Sequence, residues 1–292
     1  MSTSGLYGTV LVAIDGRDGG RDAAALARRL ASPEADFQLV YVSAPEFGHS
    51  TSLDRADPAG FAHLVEAERA LCGPRARVLR TSASSPGDGI DRAADELGAD
   101  LIVVGSSHRN GISRLFSGDD VKALLHRTAR PIAVAPRGYA ARPRPISRIG
   151  VAVDSRPASE IALRHASALR DEVHGKMVPV SVVEPHYYPS GWTMVAVPYP
   201  DPEVELASAR ERLEGIAGPD LQLVYGLPGE ELARFSELVD LLVVGSRRNG
   251  TLQRLMLGST SEYLTRHVYA PLLITPAVQA PAHAERQTEA VS

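Results

Sequence analysis

Two stretches decide the fold: Leu101-Ile-Val-Val-Gly105-Ser106 and Leu241-Leu-Val-Val-Gly245-Ser246. Each is an unbroken β-branched and leucine run closed by glycine, the pattern of a strand buried on both faces of a sheet. They sit 140 residues apart, and the landmarks around them keep that distance to within one residue. Gly118 matches Gly258, Pro131 matches Pro271, and Arg-Asn-Gly recurs at 109–111 and 248–250. Upstream, Thr9-Val-Leu-Val-Ala-Ile-Asp15 matches Ile149-Gly-Val-Ala-Val-Asp154, an apolar run ending in aspartate. A constant offset over so many positions indicates duplication of a domain-sized unit of about 140 residues.

Within each unit, apolar runs alternate with amphipathic segments such as Arg21–Leu30, Asp88–Leu97, Ala158–Val173 and Glu203–Ile216. Strands alternating with helices of this length imply βαβ units and a parallel sheet. Strands are expected near 9–14, 37–42, 76–80, 101–104 and 132–135, and near 149–153, 177–183, 221–225, 241–244 and 272–275. The reading is five strands and four helices per half. Domain 1 spans 1–140, domain 2 spans 147–278, Arg137–Ser147 links them, and residues 279–292 form a disordered tail. The last strands, Pro131 to Pro136 and Pro271 to Pro276, are short, apolar and bounded by proline. Their edges are expected to pair within the chain as a pseudo-dimer, with a homodimer as the alternative.

Composition narrows the function. Thirty-five acidic against 31 basic residues give a formal charge of -4, which argues against nucleic acid. The single cysteine, Cys72, excludes an intrachain disulfide and reads as a buried thiol in the apolar helical run Phe61–Leu71. No apolar run is long enough to span a membrane, and Met1–Gly8 lacks a signal-peptide pattern, so a cytoplasmic protein is expected. No Walker motif and no paired-histidine zinc pattern occurs. His126-Arg127 and Arg266-His267 fall at the ends of the last helices, where positive charge complements the helix dipole. The aromatic loop 184–202, with Tyr187, Tyr188, Trp192 and Tyr199, is expected to fold over its own domain as a lid, or else to meet a partner.

In an open parallel sheet, ligands sit beyond the carboxyl ends of the strands, where the strand order reverses. Asp15, Asp154, Gly105 and Gly245 lie at those ends. A glycine then precedes the last helix of each half: Gly118-Asp119-Asp120 and Gly258-Ser259-Thr260-Ser261. The second start suits an anion, with free N–H groups and hydroxyls, although a serine there also simply caps a helix. Asp119 and Asp120 would repel phosphate, unless Asp119 served a bridging Mg²⁺.

The β1 endings, the helix opening Pro157-Ala-Ser-Glu160 and the loop signature resemble the universal stress protein family in its tandem form. The ATP-binding members carry Gly-x-x-Gly, nine residues, then Gly-Ser/Thr. Here the second half reads Gly245-Ser-Arg-Arg248, nine residues, then Gly258-Ser259, and the first reads Gly105-Ser-Ser-His108, nine residues, then Gly118-Asp119. The resemblance implies two α/β domains of the HUP (adenine nucleotide alpha hydrolase-like) type binding ATP, with Mg²⁺ as a possible companion. By similarity, Asp154 and the backbone near Val182 and Val183 would hold adenine. Gly245 would face the ribose, and Gly258, Ser259 and Thr260 the phosphates. Arg248 replaces the motif's second glycine and either blocks the site or contacts phosphate. The weaker first-half counterparts are Asp15, Val42, Gly105 and Gly118. Two readings follow: a stress-response regulator binding ATP mainly in the second half with little or no hydrolysis, or a ligand-free scaffold acting on an unidentified protein partner.

Overall fold

The computed structural model describes residues 6–43, 52–106, 124, 128–185, 201–246 and 259–276. The first half supplies strands β1 (Thr9–Ala13), β2 (Asp36–Ser43), β3 (Arg77–Ser82), β4 (Leu101–Gly105) and β5 (Ile132–Ala135). The second supplies β6 (Arg148–Ala152), β7 (Lys176–Val183), β8 (Gln222–Tyr225), β9 (Leu241–Gly245) and β10 (Leu272–Thr275). All join one sheet in the order β3-β2-β1-β4-β5-β10-β9-β6-β7-β8. The order is palindromic by repeat: β3 corresponds to β8, β2 to β7, β1 to β6, β4 to β9 and β5 to β10.

Every described ladder within a half is parallel, and the join between halves is antiparallel, with Leu272 opposite Val134, Leu273 opposite Ala133 and Ile274 opposite Ile132. The residues of β4, β5 and β10 are buried, as continuous apolar runs covered on both faces should be.

The described helices are α1 (Asp18–Leu30), α2 (Ser52–Arg55), α3 (Pro58–Leu64), α4 (Glu66–Cys72) and α5 (Pro86–Leu97), then α6 (Pro157–Val173), α7 (Pro202–Ala217), α8 (Pro228–Phe235) and α9 (Ser259–His267). Five of them, α3 and α5 to α8, open on proline, whose fixed φ suits the first turn and whose missing N–H costs nothing there. Asp57, Ser85 and Asp201 cap α3, α5 and α7 through their side chains. No described helix is long and apolar enough to cross a membrane.

The run Phe61–Leu71 is not the single helix its sequence suggests. The chain bends at the fully buried Val65 (φ -103°, ψ 6°), separating α3 from α4. The bend places Phe61 against Tyr41 of β2, ring centroids 5.8 Å apart, while α4 packs on α1. Cys72 is buried there, and burial pushes its thiol up to about 12, so it is not a nucleophile at neutral pH.

Aspartates repeat as structural ties. Asp100, just before β4, accepts N–H bonds from Gly8 (3.1 Å) and Thr9 (2.9 Å) at the start of β1. Asp240, just before β9, accepts them from Ser147 (3.0 Å) and Arg148 (2.8 Å). The two halves also meet away from the sheet. The Tyr7 hydroxyl lies 3.0 Å from His165 Nδ1 on α6, and Leu6 N–H donates to Glu172 at 3.2 Å.

Burial, with a smaller contribution from Arg164, lowers His165 to about 4, so it packs as a neutral imidazole. The unfolded chain takes up a proton near pH 6.5 that the folded chain refuses until about 4. Stability from this contact is therefore full above pH 6.5 and lost as pH falls through that window. His165→Phe is expected to remove roughly 3 kcal/mol of the drop in unfolding free energy between pH 7 and pH 4. Urea titrations at the two pH values measure it, and an undiminished drop would contradict the assignment.

Candidate functional site

In each half the strand order reverses beside the first strand: β1 lies between β2 and β4, and β6 between β7 and β9. The crevice of an open α/β sheet opens at the carboxyl ends of these strands. In the second half it is a cavity of about 180 Å³ as enclosed by the described residues.

Asp154 is set in it by the turn leaving β6. Val153 N–H still bonds the Val180 carbonyl at 2.8 Å, and then the chain turns into α6. Asp154 N–H donates to Ser159 Oγ, and that hydroxyl donates to Asp154 Oδ1, each at 2.8 Å. Arg156 N–H donates to the same Oδ1 at 2.9 Å, and its guanidinium lies 3.4 Å from Oδ2. Asp154 lines the cavity with its side chain half-exposed. Val180, Val182 and Leu232 provide an apolar wall, and Thr260 and Ser261 bring the first described turn of α9 to the cavity.

Gly245 closes β9 for a packing reason. A Cβ there would lie 2.6 Å from the carbonyl oxygen of Ala158, so glycine lets the start of α6 press on the strand end. Gly105 does the same in the first half, where a Cβ would collide with the backbone of Gly19.

Of the residues singled out from sequence, Asp154, Val182, Gly245 and Thr260 line this one cavity. Val183 is half-buried opposite Tyr225 of β8, and Ser259 is exposed at the start of α9; neither is among the lining residues. Gly118, Asp119, Asp120, His108, Arg248 and Gly258 lie outside the described residues. So do His126-Arg127, the aromatics of loop 184–202 and the tail 279–292. Arg156, Ser159 and Glu184 line the cavity without having been singled out. Arg266-His267 does close α9, with His267 Nδ1 donating to the Tyr263 carbonyl at 2.8 Å.

Among the described residues, the carboxyl end of β1 in the first half is packed by its own chain. Asp15 is 3% exposed and accepts N–H bonds from Arg17 (3.0 Å) and Gly20 (3.1 Å). Gly20 stands five residues after Asp15, as Ser159 stands five after Asp154. A Cβ on Gly20 would lie 3.1 Å from Glu68 Oε1, so Glu68 of α4 occupies room that a serine would claim. Glu68 is 1% exposed, and its Oε1 has no hydrogen-bond partner among the described residues. Leu53 of α2 packs on Gly16, whose φ of +68° and close contact leave no place for a side chain. Arg80 of β3 holds this cover down by donating to the carbonyls of Asp54 (2.6 Å) and Ala56 (3.2 Å). Val42 and Gly105 are therefore buried beside a plugged crevice.

A duplicated open α/β sheet with a crevice at each reversal defines the class. The sequence matches the Universal stress protein family over residues 6–136 and again over 145–276. The chain belongs to that family, in tandem form. It is 28% identical over 208 residues to a universal stress protein of Mycobacterium tuberculosis H37Rv, covering 64% of this chain and 68% of the relative. Its fold matches a putative universal stress protein from Pseudomonas aeruginosa UCBPP-PA14 (16% identity, 98% of both chains, TM-score 0.65). A universal stress protein from Archaeoglobus fulgidus DSM 4304 matches too (16% identity, 93% of this chain and 97% of that one, TM-score 0.61).

Burial raises the carboxyls of both Glu68 and Asp15 above the usual range, and the proximity of Asp15 adds to the effect on Glu68. Such groups stabilise the fold fully below the ordinary carboxylate pKa, and that stability is lost as pH rises through their folded values. Glu68→Gln is expected to be close to neutral at pH 4. It should be stabilising at pH 7, by about 1.4 kcal/mol for each unit that burial has raised the acid. Thermal melts of both proteins across that range measure it; a variant destabilised equally at both pH values would contradict the assignment.

Proposed function

We propose that this protein is a stress-response regulator whose second half binds an adenine nucleotide, with ATP as the ligand, and that the first half does not. The observation that carries the reading is the asymmetry of the crevices: Asp154, Gly245 and Thr260 share an open cavity, while Glu68 and Leu53 fill the place equivalent to it. The family resemblance adds the expectation that such a cavity takes ATP.

In this reading Asp154 Oδ2 accepts from the adenine amine, and the apolar wall of Val180, Val182 and Leu232 covers the base. Thr260, Ser261 and the N–H groups opening α9 meet the phosphates, which a helix N-terminus favours. Arg156 adds a cation at the cavity, and Mg²⁺ arrives on the phosphates. Asp154 holds the base in this placement, out of reach of water at the phosphates, so turnover is expected to be little or none. Occupancy then acts by setting conformation or partner choice.

A second reading, a scaffold working through protein contacts alone, is favoured by the plugged first crevice. Acid-quenched protein tested for released adenine, and thermal shift on adding Mg·ATP, separate the two. Binding at a hundredfold excess over Kd is expected to stabilise the fold by about 2.7 kcal/mol. Thr260→Asp should weaken affinity at least tenfold, and Asp15→Asn should leave it unchanged. Absence of both adenine and thermal shift would overturn the nucleotide reading; undiminished affinity in Thr260→Asp would move the site elsewhere.

A further inference from the structure

A second cavity, of about 460 Å³, lies beneath the linker and belongs to neither crevice. The volume is in the range of small-molecule sites. One wall is the linker, with Arg137, Tyr139, Arg142 and Arg144; the other is the chain before β9 and β10, with Asp240 and Tyr269.

The charge in this cleft is directed. Asp240 is committed to structure: its Oδ2 accepts from Ser147 N–H, Ser147 Oγ–H (2.8 Å) and Arg148 N–H, and Arg144 offsets what field remains. Glu237 is an exposed acid on the wall. Against these stand three arginines, and none of the described ion pairs engages the Arg142 guanidinium. Arginine's planar fork suits phosphate and carboxylate oxygens.

The cations are held on a prepared backbone. Asp22 of α1 accepts the N–H groups of Gly138 (2.8 Å) and Ala140 (2.7 Å), and the Tyr139 hydroxyl donates to the Arg144 carbonyl at 3.3 Å. Pro143 and Pro145 bracket Arg144 and limit its backbone freedom. Ordering costs met in advance favour binding. Beside them Tyr269 is 66% exposed, although its own N–H is fixed to Ser236 Oγ at 3.0 Å. An aromatic face held open next to guanidinium groups suits a flat anionic ligand.

We propose that this cleft binds a small aromatic oxyanion, a flat ring carrying a phosphate or carboxylate group, with the anion on Arg142 and Arg144 and the ring on Tyr269. The site is a product of the linker and not of the repeat: Asp100 repeats the role of Asp240, but the residues preceding β1 carry no basic side chain.

Calorimetric titration of the full chain with phenyl phosphate, benzoate and inorganic phosphate tests it. One of the two ring-bearing probes is expected to bind at least tenfold more tightly than inorganic phosphate, and the tighter one identifies the anion. The double variant Arg142→Glu, Arg144→Glu should weaken that probe at least tenfold, Tyr269→Ala should weaken it severalfold, and Thr260→Asp should leave it unchanged. If the double variant loses its circular dichroism spectrum, Arg142→Gln alone is judged by the same weakening. No heat from either ring-bearing probe, equal affinity for inorganic phosphate, or indifference to the arginine changes would overturn the proposal. Loss in Thr260→Asp would place the probe in the second-half cavity and overturn it too. Failure of this proposal leaves the ATP reading standing, which its own titration decides.

Discussion

The antiparallel pairing of β5 with β10 is the constraint on which the rest of the molecule depends. Each half alone would end its sheet on a short, largely apolar strand with an unpaired edge, which invites association with other chains. Setting Leu272, Leu273 and Ile274 against Val134, Ala133 and Ile132 satisfies both edges at once and buries both strands. Two domains thereby become one sheet, and contacts such as Tyr7 with His165 become possible across the join.

Once the halves are joined, a single position separates their fates. Ser159 ties down Asp154 with its own hydroxyl and leaves the carboxylate facing an open cavity. Gly20, at the same step after Asp15, offers no side chain, and the vacated room admits Glu68 from α4. A buried acid with an unpartnered oxygen is a poor stabiliser at neutral pH, so the cover is held by other means. Leu53 on Gly16, Arg80 on the α2–α3 carbonyls and Phe61 on Tyr41 supply them.

The fold was largely legible in the sequence because buried parallel strands write themselves as uninterrupted apolar runs, and duplication wrote them twice. Strand positions read from Leu101–Val104 and Leu241–Val244 agree with the structure to within a residue. The bend at Val65 was not legible, since helical periodicity continues through it and only tertiary packing breaks it. Asp154, Gly245 and Thr260 stood out by their place at strand and helix ends and Val182 only through the family resemblance; the structure gathers the four around one cavity. Ser159 and Glu68 were harder for different reasons. The Ser159–Gly20 difference stood in the alignment of the two halves, but its meaning needs the geometry of the turn. Glu68 reaches the crevice across nearly fifty residues of chain, and no local pattern marks an acid that will be buried.

The direction of β10 against β5 has a spatial consequence. Strands of the two halves run opposite ways, so their carboxyl ends lie on opposite margins of the common sheet. The open cavity of the second half is on one margin. The plugged crevice and the linker beyond Pro136 are on the other. A molecule seated at Asp154 and a molecule seated at the linker would never touch or crowd one another. Strand β9 runs between them, from Asp240 at the linker to Gly245 at the open cavity, as a beam runs between two supports.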